Sequence, residues 1–289
     1  MPELNGCTAD ANGLRFLGAD VGPCDVLLDG RRIWSTSPQR GKLDEEGHLR
    51  VPWPRVLSSY LTGVGQITVR DHATGAVHFD DEVYFGGSAA RIELVDPDGH
   101  PLTVTKWGGL DRSFVDAADA RVARRQLEIA AELLQDLNER VGVPAFAVCG
   151  TLLGAVRAGK VIGHDFDTDV AYLSAHSHPG DIVGESFRIQ RALCALGWSA
   201  HRVGGSKLLV DRVTAPGMIE ISTCYFVGDR FYLDRWIEGT LRRDQILPLG
   251  HVTIEGCELP APADPEALLE LNYGPGWRVP LSGGLSSAP

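Results

Sequence analysis

No stretch of this chain approaches the roughly 18 to 20 consecutive apolar residues that a membrane-spanning helix needs. The longest candidate, Ala145 to Val156, is interrupted by Gly150, Thr151 and Gly154 and stopped by Arg157. The opening Met1-Pro2-Glu3-Leu4-Asn5-Gly6 has neither a basic start nor an apolar core, so no secretory signal is expected. Cysteine pairs are also missing. Cys7, Cys24, Cys149, Cys194, Cys224 and Cys257 lie far apart with no C-x-x-C, which excludes a zinc ribbon and a dense disulfide framework. Most of them are expected to be buried thiols, and the protein to be cytoplasmic. Positive charge is scarce: 27 Lys+Arg against 38 Asp+Glu leave a net charge of −11. Such a surface repels phosphate backbones and anionic lipid, so no nucleic acid polymer is expected as a partner. Single phosphorylated metabolites stay open, because a bound divalent cation reverses the local sign.

What is present is the material of a folded protein. The 289 residues are 44% hydrophobic and 22% charged, enough for a sizeable core in one large domain or two ordinary ones. The texture divides them. Up to about residue 105 short apolar runs alternate with turns. Asp29-Gly30 and Asp98-Gly99 are hairpin signals, following Val26-Leu27-Leu28 and Ile92 to Val95. Gln66 to Arg70 and Ala76 to Phe79 flank a polar turn at Asp71 to Gly75, and Trp53 to Leu61 reads as one short helix or extra strand. The spacing predicts a β-sandwich-like accessory domain over residues 1–108, structural or glycan-binding, with no cluster of catalytic residue types.

Residues 109–281 read as an α/β domain, which makes the whole chain α+β, and residues 282–289 as a loose tail. From Asp116 to Val141 the residues Val122, Leu127, Ala130, Leu134, Leu137 and Val141 recur at helical spacing, with Ser113 or Asp116 as the N-cap. Arg121, Arg124, Arg125, Glu132, Asp136 and Glu139 fall on the other faces. A buried strand at Pro144–Cys149, a short helix at Thr151–Ala158 and a second strand at Val161–Leu173 follow. Then come a helix around Glu185–Leu196, strands near Lys207–Val213 and Met218–Phe226, and a helix at Pro265–Asn272.

The informative segment is Cys149-Gly-Thr-Leu-Leu-Gly-Ala-Val-Arg157 followed by His164-Asp-Phe-Asp-Thr-Asp-Val170. Alternation along a strand puts Asp165, Asp167 and Asp169 on one face, roughly 6 to 7 Å apart, with Phe166, Thr168 and Val170 turned to the core. Carboxylates at that spacing repel unless protonated or bound to a cation, and oxygen donors suit Mg²⁺ or Mn²⁺. Upstream, Gly150 at a helix start lets backbone N–H groups approach a phosphate, which the helix dipole favours. Thr151 can cap the helix or donate to a phosphate oxygen, and Arg157 can grip one in bidentate fashion. Together these are parts for phosphoryl or nucleotidyl transfer.

Gly-Thr-Leu-Leu-Gly-Ala-Val-Arg, then an isoleucine, then Asp-x-Asp-x-Asp resembles the LicD and fukutin-related phosphotransferase family, of the nucleotidyltransferase-fold superfamily. A second match lies in Ile246-Leu-Pro-Leu249, Gly256, Pro260-Ala-Pro262 and Tyr273-Gly-x-Gly-Trp277, so the resemblance spans roughly residues 115 to 280. It implies a nucleotidyltransferase-like catalytic domain that moves a phospho-alcohol from a CDP-linked donor to a sugar hydroxyl of a glycan or lipid-linked precursor. Asp167 and Asp169, with Asp165 beside them, would be the metal ligands, and Gly150, Thr151 and Arg157 would hold the diphosphate. Two departures, Gly163-His164 for the family's Pro-Trp and Ala158-Gly159-Lys160 after the arginine region, bear on the donor's head group more than on the metal chemistry.

The superfamily also takes a carboxylate from a neighbouring strand. Glu220 is the lone charge in Met218-Ile-Glu-Ile-Ser222 and is read as a metal ligand or general base, or else a salt-bridge partner; Asp211 and Asp244 stand behind it. Lys207 either neutralises phosphate or is simply solvated. His176-x-His178 reads as a loop beside Pro179-Gly180, His164 as a replacement for the family tryptophan, and Asp264 and Glu266 as N-terminal helix charges. Tyr273 and Trp277 read as packing a terminal loop over the site, with stacking on a base or sugar as the alternative. Three other readings compete with the phosphotransferase: NMP transfer to a small molecule or protein, non-catalytic glycan binding, and, last, glycoside hydrolysis. Without a membrane span, contact with the inner membrane face would be peripheral.

Overall fold

The computed structural model describes residues 6–17, 21–105, 108–113, 117–162, 168–212, 219–234 and 237–279. The chain divides into two compact units, one before Val115 and one from Val115 to Arg278. Its character is mixed α+β. Among the described residues, no helix is long and apolar enough to cross a membrane.

The first unit is built of β1 (Cys7–Asp10), β2 (Gly13–Phe16), β3 (Cys24–Leu28), β4 (Arg31–Thr36), β5 (Lys42–Leu43), β6 (Leu49–Pro52), β7 (Gly63–Asp71), β8 (Val77–Gly86), β9 (Leu102–Val104) and β10 (Leu110–Arg112). They form antiparallel sheets in the orders β1-β2-β6-β5 and β4-β3-β7-β8, with β9 and β10 as a separate pair. Leu14, Phe16 and Val51 of one sheet and Val26, Ile33, Ile67 and Val69 of the other share a single buried cluster. Period-2 burial along β7 shows why the sequence signal was readable there. Asp29 and Gly30, at φ 49° and 79°, make the two-residue turn between β3 and β4. The Asp98-Gly99 turn closes only an isolated bridge, Val95 to Pro101. The Trp53–Leu61 stretch holds a single 3-10 turn, Arg55–Leu57.

The second unit begins with α1 (Ala117–Gln135), whose end widens into a π-helical turn, Asp136–Val141. It continues with β11 (Ala145–Ala147), α2 (Cys149–Ala158), β12 (Thr168–Leu173), α3 (Pro179–Ala195), β13 (Ser199–Arg202), β14 (Leu208–Asp211), β15 (Ile219–Val227), β16 (Arg230–Leu233), β17 (Ile237–Thr240), β18 (Gly250–Ile254), β19 (Cys257–Ala261) and α4 (Pro265–Tyr273). The main sheet runs β11-β12-β15-β14-β13, with β16 and β17 added along the far half of β15. Only β12 and β15 pair in parallel within it. Val170, Tyr172, Ile219 and Ile221 bury one face with Leu127, Ala130 and Leu134 of α1. Ala171, Leu173, Cys224 and Phe226 bury the other with Leu152 of α2 and Leu268 of α4.

Several expectations are corrected by this unit. Asp136 is not on the solvent face: it is buried and accepts a hydrogen bond from the Trp198 indole N–H at 2.8 Å. Cys149 starts a helix rather than ending a strand, and the helix expected around Glu185 already begins at Pro179. Only three of the six thiols, Cys7, Cys24 and Cys224, are buried. The strand expected from Val161 is described only from Thr168. The Asp116 cap, the Val122 side chain, His164 and the 282–289 tail lie outside the described residues.

Candidate functional site

The start of α2 and the start of β12 are laced together by three hydrogen bonds. The Val148 N–H donates to the Asp169 carbonyl at 3.1 Å. The Gly150 N–H donates to Asp169 Oδ2 at 2.9 Å, and the Asp169 N–H to Thr151 Oγ1 at 2.9 Å. Local chemistry dictates this arrangement. Val148, the N-cap, is extended and offers no side-chain acceptor, so the first-turn N–H groups need one from elsewhere. A carboxylate is the best acceptor there, because the helix dipole favours an anion. Thr151, buried to 5% exposure, is thereby the link between the helix and the acidic strand.

The neighbouring strand brings a second carboxylate. Asp169 and Glu220 are direct partners in the parallel β12–β15 ladder. Their flanking residues, Thr168 and Val170, Ile219 and Ile221, are buried on the opposite face. Neighbouring strands lie about 4.8 Å apart, so the two acids share one face at close range. On β14, Leu209 faces Glu220, and alternation returns Lys207 and Asp211 to the same face. Lys207 Nζ lies 2.5 Å from Glu220 Oε1 and 3.4 Å from Asp234 Oδ2. Burial pulls the lysine pKa down, but the hydrogen bond and charge of Glu220, with those of Asp234, outweigh it and the net shift is upward.

Of the residues expected at the site, the structure brings together Gly150, Thr151, Asp169, Glu220 and Lys207. Asp165 and Asp167 lie outside the described residues. Arg157 lies near the other end of α2. It follows Gly150 by seven residues, roughly 10 Å along the helix axis, and its guanidinium donates to the Trp277 carbonyl at 3.4 Å. Glu220 does meet a cation, and Lys207 is an ion-pair partner rather than a solvated chain. Asp244 is exposed and paired with Arg242. Trp277 is itself core, 4% exposed, and unavailable for stacking on a ligand; Tyr273 packs beside it half-buried. His176 faces Glu185 at 3.8 Å, while His178 caps α3 by accepting the Gly180 N–H. Asp264 caps α4 by accepting the Ala267 N–H.

Sequence reasoning missed Asp234. It follows β16 in a left-handed conformation, φ 55°, fixed by its N–H to the Thr223 carbonyl at 3.0 Å. Its only sequence signal is an acid closing an alternating apolar run. In the first unit, Asp96, Asp98 and His100 also gather their ligand atoms, the only such group among the described residues. There Arg112 already neutralises both acids, at 2.6 and 2.9 Å, and backbone N–H groups fill Asp96 Oδ1, so a turn accounts for the cluster.

Comparison with known proteins adds the family. Residues 142–264 match the model described as LicD/FKTN/FKRP, nucleotidyltransferase domain. Among curated proteins none gives a significant match. Two solved structures of ANT(2'')-Ia are similar at low level. The solution structure of this antibiotic-resistance factor is 15% identical, with a TM-score of 0.34 over 49% of this chain and 69% of that one. The crystal structure of its complex with adenylyl-2''-tobramycin is 16% identical, with a TM-score of 0.35 over 54% and 79%. Nothing about the site follows from likenesses this distant. The family match, by contrast, takes in the start of α2, the Asp169 and Glu220 strands and the β18–β19 hairpin, so that over residues 142–264 the chain is similar to the LicD/FKTN/FKRP family.

Proposed function

We propose that this chain is a divalent-cation-dependent transferase that moves a phospho-alcohol of the choline, glycerol or ribitol phosphate type from a CDP-linked donor to a sugar hydroxyl. The acceptor is a cell-surface glycan or its lipid-linked precursor, met at the inner face of the membrane, and CMP is released. The family match supports the coarser statement, a phospho-alcohol transferase of nucleotidyltransferase type. The observation that carries the finer one is the lacing of Asp169 to the start of α2 with Glu220 in register beside it.

Asp169, with Asp165 and Asp167, would hold Mg²⁺ or Mn²⁺; an all-oxygen donor set suits these ions. When bound, such an ion lowers the pKa of the attacking hydroxyl and neutralises charge on the leaving CMP. The chain's own groups do the rest. With the Gly150 N–H already given to Asp169, the Thr151 hydroxyl orients the diphosphate, and Lys207 adds a fixed positive charge. The acceptor oxygen attacks the phosphorus bearing the alcohol, that phosphorus parts from the CMP oxygen, and Asp165 or Glu220 takes the hydroxyl proton.

The test is thermal stability with CDP-choline, CDP-glycerol, CDP-ribitol, ATP and UTP, each with and without Mg²⁺, alongside product analysis. A Mg²⁺-dependent rise confined to CDP-alcohols, with CMP release lost in Asp169→Asn and Asp167→Asn, is expected. A rise with ATP or UTP alone, with pyrophosphate released, would replace this reading by nucleotidyl transfer.

A further inference from the structure

We propose that Lys207 is a built-in second cation of the site: its ammonium, held between Glu220 and Asp234, stands where a second divalent ion would otherwise bind. The inference rests on the proposed reading of the site and specifies its cation count. Two anions sit within ion-pair distance of one ammonium, at 2.5 and 3.4 Å, and all three side chains are sheltered, at 30%, 25% and 19% exposure. Asp169 is the ladder partner of Glu220. Without Lys207 three carboxylates would crowd one sheltered patch, an arrangement that stands only with a cation in it.

The geometry also separates this role from simple phosphate binding. An ammonium has three donors, and two of them point at carboxylates here. A lysine kept for phosphate would leave its donors clear. The backbone enforces the clamp from three directions. Leu208 pairs with Ile221, so Lys207, one residue earlier, alternates onto the Glu220 face. The Thr223 hydroxyl donates to the Ser206 carbonyl at 2.8 Å, tying down the turn just before the lysine. Asp234 is anchored by its own N–H to the Thr223 carbonyl at 3.0 Å. Glu220 therefore belongs to Lys207, and a divalent ion is left to Asp169 and its acidic neighbours.

The experiment is a Mn²⁺ titration of the full chain, counting bound ions by loss of the free Mn²⁺ paramagnetic resonance signal, with folding checked by circular dichroism. Lys207→Met should bind one more ion than the parent protein, and the gain should vanish in Lys207→Met combined with Glu220→Gln. Glu220→Gln alone, isosteric and uncharged, should bind as many ions as the parent. An unchanged count in folded Lys207→Met, or an ion lost in Glu220→Gln alone, overturns the proposal. If Lys207→Met does not fold, the Glu220→Gln count decides it. Asp169→Asn tests the underlying reading separately. Retention of the parent's ion in that variant sinks the metal role of Asp169 and leaves the comparison between Lys207→Met and the parent standing.

Discussion

Gly154 is buried in the middle of α2, and replacing it with alanine sets two effects of known sign against each other. Alanine gains about 0.5–1 kcal/mol of helix propensity over glycine. The added Cβ, however, would stand 2.5 Å from the Lys160 carbonyl oxygen, with Ile162 Cγ1 at 3.4 Å. The obstacle is backbone, and it is pinned. The Lys160 N–H reaches the Gly154 carbonyl at 3.3 Å, the Val161 N–H the Glu255 carboxylate at 3.3 Å, and the Glu255 N–H the Gly159 carbonyl at 2.9 Å. Forcing a methyl group into such contact costs about 1–3 kcal/mol. The net effect of Gly154→Ala is a loss of about 1–2 kcal/mol, or about 3–6 °C in melting temperature for a unit of this size. Gly184 in α3 is the matched control: exposed, helical and with nothing within 4 Å of a new Cβ. Gly184→Ala should stabilise by about 0.5–1 kcal/mol. Differential scanning calorimetry and urea unfolding read both variants. Because Lys160 to Ile162 lead into the segment carrying Asp165 and Asp167, Gly154→Ala should also slow turnover. A Gly154→Ala protein that melts at or above the parent temperature would refute the close approach, and with it the placement of the chain entering the acidic segment.

Two further outcomes follow from buried charges. Burial alone would raise the Asp25 pKa, but hydrogen bonds from His72 and Ser35 and the Arg32 charge hold it down to about 2, against 3.8 for a free carboxyl. The shift corresponds to about 2 kcal/mol of stability, present above the unfolded value and lost as the pH falls through about 2. Asp25→Asn should therefore lower the urea midpoint at pH 7 and converge with the parent as the pH drops from 4 towards 2; parallel curves would refute this origin. In the second unit, Asp136→Ala should cost about 1–3 kcal/mol by stranding the buried Trp198 N–H. Asp136→Asn keeps an acceptor and should cost less. Equal losses in the two variants, followed by tryptophan fluorescence during unfolding, would show that the hydrogen bond contributes nothing.

What the sequence made legible is what short-range physics decides, and the failures lie where partners are remote. Leu127, Ala130, Leu134 and Leu137 marked α1 because helical period alone puts them on one face, and they are buried there. Asp29-Gly30 marked a hairpin because the turn needs two positive φ angles. Asp136 was misplaced because α1 does not keep its period: the π-helical turn from Asp136 to Val141 changes the phase, and the Trp198 that satisfies the acid lies 62 residues away. Trp277 was read as packing, with stacking on a ligand as the alternative, and its burial in the core decides between the two. Glu220 stood out as one charge in an apolar run, which says that a cation must meet it but not which one. That choice is made by the pairing of β14 against β15, which brings Lys207 across a turn, and by the hairpin through β16, which returns Asp234 to the same ammonium. No local pattern encodes either step. A site whose acids are announced by the sequence can thus have its cations assigned by strand register, and it is register that makes Lys207 the positive charge held between Glu220 and Asp234.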